Sequence, residues 1–110
     1  MTDPQAGIVY RYFSVDADHD ISSDTLEVSL DETTWNALDY LPPVNYPPSV
    51  TAADTAHPPA SGYSRYWWRA LTGPGQALPL DRGVVLLFGR LTDSPEVPNF
   101  AWTFRVGAYE

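Results

Sequence analysis

Between Thr25 and Leu30 the chain alternates strictly, with Leu26, Val28 and Leu30 on one side and Glu27 and Ser29 on the other. A period of two predicts a strand with one buried face. The same period runs through 100–106, where Phe100, Trp102, Phe104 and Val106 face one way and Ala101, Thr103 and Arg105 the other. Ile8–Val15 is dense in β-branched and aromatic residues and reads as a first strand. After the polar turn Asp31–Thr34, the stretch Trp35–Leu38 returns as a short strand, which makes a hairpin with Thr25–Leu30. Tyr63–Leu71 carries Tyr66, Trp68 and Ala70 on one face and Arg65, Trp67, Arg69 and Leu71 on the other. We assign the first set to the core, which leaves Trp67 facing outward between two arginines. Val84–Leu91 is apolar on both faces and predicts a central strand covered on both sides.

Between these runs lie breaks. Asp16–Asp20 is an acidic turn, Gly73-Pro74-Gly75 ends a strand, and Asp93–Asn99 is a loop. The 11 prolines and the lack of a long amphipathic stripe argue against helices. From Tyr40 to Gly62 the pattern dissolves into paired prolines (Pro42-Pro43, Pro47-Pro48, Pro58-Pro59) with small residues between them. This predicts a long irregular loop of extended, polyproline-like backbone. Two readings of it are open: a variable surface loop, or an arm lying on a neighbouring subunit. Six or seven short strands, with turns roughly every ten residues, predict one all-β domain over 1–110 built as an antiparallel sandwich.

Composition trims the functional classes. A chain of 110 residues with 44% hydrophobic content suffices for one core, and whole-chain disorder is not expected. With no cysteine there is no disulfide framework, thiolate nucleophile or thiolate metal site. No apolar run is long enough to span a membrane as a helix, and Met1–Gly7 lacks the basic-then-apolar order of a secretory signal. Fourteen acids against six bases give a net charge of −8, which argues against nucleic acid and anionic membranes as partners. All six bases are arginine. GC-rich coding produces that bias, and so does selection for buried or interfacial pairing.

The run Leu80-Asp-Arg-Gly-Val-Val-Leu-Leu-Phe-Gly-Arg-Leu-Thr-Asp-Ser-Pro-Glu-Val-Pro98, followed by the Phe100–Val106 strand, resembles the last two strands of immunoglobulin-like sandwiches. It is most similar to small Ig-like virion proteins of tailed phages and prophages of actinobacteria, in which an Arg-Leu-Thr-Asp-like strand end leads into a Pro-Glu-Val-Pro turn. Leu26–Trp35 is similar to the hairpin of such domains. The paired cysteines of antibody domains are absent, and the Pro-rich segment has no counterpart. The resemblance covers a little over half of the chain. It implies an Ig-like fold and a structural component of a virion, made in the host cytoplasm, with other virion proteins or its own copies as partners.

Candidate chemistry is sparse. Asp16, Asp18, Asp20, Asp24 and Glu27 match five ligand positions of a helix–loop–helix calcium loop, but Ile21 stands where the sharp turn needs glycine and the flanks read as strands. A looser calcium site and a solvated acidic turn are both open. His19 and His57 are the only imidazoles, too few for a histidine cage, and neither a Gly-x-Ser-x-Gly elbow nor a glycine-rich phosphate cradle is present. The expectation is a non-enzymatic protein without cofactor. Outward Trp67 beside Arg65 and Arg69 has three readings: a protein-interface anchor, a sugar-stacking platform, or a cation–π cluster within the monomer. The leading expectation is assembly through Arg65, Trp67, Arg69 and the arm residues Tyr46, Pro47 and Pro48, as a capsid decoration or a head or tail accessory protein. The alternative is a carbohydrate-binding adhesion module recognising cell-surface glycan.

Overall fold

The structure, a computed structural model, describes residues 8–80, 83–94 and 97–106. Among these residues seven strands run in the order β1 (Val9–Ala17), β2 (Leu26–Ser29), β3 (Asn36–Ala37), β4 (Asp39–Leu41), β5 (Ser64–Thr72), β6 (Gly83–Leu91) and β7 (Phe100–Val106). A 3-10 turn at Pro43–Asn45 and a helix, α1 (Pro48–Ala56), lie between β4 and β5. The strands form two antiparallel sheets, a three-stranded one ordered β1-β5-β4 and a four-stranded one ordered β3-β2-β6-β7. The expected all-β sandwich is therefore present, hairpin β2–β3 included.

Register explains the core. β1 and β5 pair over their full lengths, from Val9 opposite Thr72 to Ala17 opposite Ser64. Phe13, Val15 and Ala17 therefore share a face with Tyr66, Trp68 and Ala70, the face assigned inward. Against them the four-stranded sheet sets Leu26, Val28, Leu87, Leu91 and Val106, with Trp102 and Phe104 partly buried. The Phe13 ring lies 5.2 Å from Trp102 and 6.4 Å from Phe104, and Tyr40 meets Trp68 edge-on at 5.7 Å. Such tilted and edge-to-face pairs add to simple area burial. Gly89 sits on the inner face of β6, where a Cβ would stand 2.5 Å from Phe100 and 2.8 Å from Trp102. The two aromatics of β7 occupy the space a side chain would take.

Three expectations need correction. The stretch 40–62 is not an irregular loop, because it completes β4 and then folds α1. Pro48 is the first helical residue, where its missing N–H and fixed φ suit the helix, and the Pro47 carbonyl accepts the amides of Val50 and Thr51 at 3.1 and 3.2 Å. Leu30, placed inward by alternation, is 44% exposed because β2 ends at Ser29. There the Asp31 carboxylate accepts the Ser29 hydroxyl and the amides of Thr33 and Thr34, all at 2.9 Å, so the chain turns instead of extending. Finally, β6 is central in its sheet as expected, but only its inner side is covered. Val84 is 67% and Leu86 48% exposed.

Candidate partner-binding surfaces

The residues predicted to meet a partner mostly converge, but on one another. Trp67 projects from the outer face of β5, as its parity requires, and is nevertheless only 8% exposed. The cover is α1. Val50, the buried residue of that helix, packs with Trp67 and Leu41, and Tyr12, Tyr46 and Ala53 close the cluster. The indole N–H donates to both oxygens of the Asp54 carboxylate, at 3.0 and 3.2 Å. Arg65 forks onto Asp16, its cross-strand neighbour, with Nε to Oδ1 at 2.8 Å and Nη2 to Oδ2 at 3.1 Å. Its Nη1 reaches Asp54 at 3.4 Å and also donates to the His57 carbonyl, which ties the end of α1 to the sheet. The Asp16 hydrogen bonds raise the guanidinium pKa above its ordinary value.

Of the remaining predicted residues, Pro47 caps the helix, Pro48 is exposed at its start, and half-buried Tyr46 has its hydroxyl pKa raised by burial and, less, by Asp54. Arg69 stands apart, its guanidinium 4.6 Å from the Tyr10 ring. Trp67 is thus corrected from an exposed anchor to the centre of a second, smaller core. The Pro-rich segment, read as a surface loop or as an arm lying on a neighbouring subunit, is instead the lid on that core. Without an exposed Trp67, the sugar-stacking reading loses its platform.

The acids spaced like a calcium loop do not converge. Asp16 pairs with Arg65, Glu27 with Arg90 at 2.9 Å, and Asp24 accepts the Ser94 hydroxyl. Asp20 caps the Ser22 amide at 2.9 Å, and Asp18 lies 3.0 Å from the His19 ring, a contact that lowers the Asp18 carboxyl pKa. Among the described residues no group of three or more acids or histidines is placed to hold a metal ion.

Two surfaces absent from the sequence reading emerge instead. The first is the outer face of the four-stranded sheet. There Val84, Leu86 and half-buried Phe88 of β6 lie beside Ala101 and Thr103 of β7. Trp35, under the Arg90 guanidinium at 4.0 Å, borders them. Among the described residues nothing covers Val84 and Leu86. The second is a groove of about 540 Å³ along the outer edge of β1, lined by Tyr10–Ser14, by Ser49, Val50 and Trp67, and by Trp102–Arg105 of β7. Compared with known protein families, curated proteins and solved structures, the chain matches none.

Proposed function

We propose that the chain is an immunoglobulin-like sandwich that acts as a non-enzymatic structural subunit of a tailed-phage virion, assembling on other virion proteins or on its own copies. Strand order supports the Ig-like assignment. Lettered from B, the strands β1–β7 read B, C, C′, D, E, F and G. That lettering puts B-E-D in one sheet and C′-C-F-G in the other, the partition of Ig-type sandwiches. The virion placement rests on the resemblance at Leu80–Val106 and at Leu26–Trp35.

One observation carries the assembly reading: the uncovered apolar outer face of β6. An antiparallel sheet with one solvated face ordinarily turns polar side chains outward. Here Val84 and Leu86 point out and stay exposed, next to Phe88, in a chain whose charge otherwise keeps it soluble. A partner covering this face would gain roughly 25 cal/mol for each Å² of apolar area removed from water.

The test is incorporation. A tagged chain expressed during phage growth should co-band with particles on a density gradient, and Leu86→Asp should remain in the free pool while melting like the parent. A parent chain that never bands with particles removes the virion placement. Equal banding by the variant removes this face from the interface.

A further inference from the structure

We propose that the groove along β1 receives an extended, carboxylate-bearing segment of a partner protein as an additional strand. The inference centres on β1 rather than on the outer face of β6, with which the groove shares Thr103 of β7, and does not depend on the virion reading.

Tyr10–Ser14 of β1 line the groove along its length. β1 is nine residues long and pairs only with β5, so alternate amides and carbonyls on its other edge have no strand partner among the described residues. A long free edge is a template for another strand. The groove has two walls. Ser49 and Val50 of α1 rise on the outer side, and Trp102 and Phe104 of β7 on the inner side. A strand laid along β1 would find aromatic surface on the inner side and Ser49 and Val50 on the outer one for its alternating side chains.

Charge selects the occupant. Of the described arginines, Arg65 and Arg90 are ion-paired and Arg69 stacks on Tyr10. Like Arg69, Arg11 and Arg105 have no carboxylate partner among the described residues, and these two line the groove. Arg11 shares the inward parity of Phe13, lies over the Phe104 ring at 5.7 Å, and buries an Nε that has no hydrogen-bond partner. Two guanidinium groups without an acid beside them, both in one groove of a chain of charge −8, mark a local demand for negative charge. A nucleic-acid strand would bring a phosphate at every residue against that net charge. A peptide with one or two acids brings only what the arginines take up. A charge pointing inward at a free edge also deters unselected strands, so the device that guards the edge chooses its ligand.

The probe is a capped peptide of about nine residues alternating valine and glutamate, titrated into the full chain and followed by tryptophan fluorescence and amide exchange. Binding is expected in the micromolar range, weakening with salt, and the lysine-for-glutamate twin should bind at least about tenfold more weakly. Alternate amides of β1 should become protected. Arg11→Gln should weaken binding about tenfold. Exposed Arg105→Gln should weaken it less, which keeps the test readable if the Arg11 change disturbs folding. Leu86→Ser, which removes apolar surface from the outer face of β6 without adding charge beside Thr103 and Arg105, should bind the peptide unchanged, so loss of the assembly reading leaves this result intact. No binding up to about 1 mM, or equal binding of the two peptides, overturns the proposal. Protection of the same amides when the chain alone is concentrated gives the groove to a second copy and overturns the separate partner.

Discussion

The two sheets of this sandwich treat their outer faces in opposite ways. The three-stranded sheet places Trp67 there and covers it with a helix drawn from its own sequence, whereas the four-stranded sheet leaves Val84 and Leu86 bare. Both faces break the ordinary polar-outward pattern, yet among the described residues only one is repaired internally. The difference lies in the connection. Between β4 and β5 the chain has 22 residues, from Pro42 to Tyr63, enough to lay α1 across the sheet, while the β2–β3 turn is six residues, from Leu30 to Trp35. An outward tryptophan is therefore no evidence of a partner when a long connection starts beside it. Outward aliphatics with no covering segment are the better sign.

That comparison can be broken at its strongest point first. Trp67→Ala should cost about 3–5 kcal/mol in urea unfolding and remove helical signal from the far-ultraviolet spectrum, because α1 loses its main contact. A loss below about 1 kcal/mol would mean the helix does not protect this face. Next comes the inner side of the apparently neglected sheet. Gly89→Ala should cost about 1–3 kcal/mol by driving Phe100 and Trp102 off the strand, so that this sheet is bare outside but tightly packed inside.

A smaller effect samples both sides of the three-stranded sheet, Tyr46 beneath the helix and Tyr40 against the main core. The hydroxyls of Tyr40 and Tyr46 have pKa values raised by burial above the ordinary 10.0. A raised pKa in the folded state means stability that is intact below that ordinary value and lost as pH climbs through the folded one. The melting temperature should be level from neutral pH to about pH 10 and fall above it, with Tyr46→Phe removing part of the fall and Tyr40 accounting for the rest. Smallest of all, Leu86→Ser should shift stability by no more than about 0.5 kcal/mol, since the side chain already faces solvent.

Much of the fold was legible because period-two alternation reports the buried face directly. Leu26 and Val28, the whole of Phe100–Val106, and the inward trio Tyr66, Trp68 and Ala70 all obey it. The helix was missed because its contact with the sheet is narrow. Val50 is its only buried residue, with Ala53 and Asp54 beside it, so no stripe registers in the hydrophobic pattern. A signal was present in Pro48 as a first helical residue, a proline-free run through Ala56, and Pro58 just beyond. The predicted site was half legible. Parity put Trp67 on the correct side of the sheet, but parity is silent on what lies over a face. The β1 groove was illegible for a related reason, since Arg11 and Arg105 are far apart in sequence and line one groove only because β1 and β7 are edges on the same flank.

That flank gives the domain a handedness of use. The opposite flank is closed by β4 and β3, three and two residues long, too stunted to template a further strand. Sheet growth by edge pairing has a way in and no way through, so each molecule is a terminus and open-ended fibre formation is blocked by the strand lengths themselves.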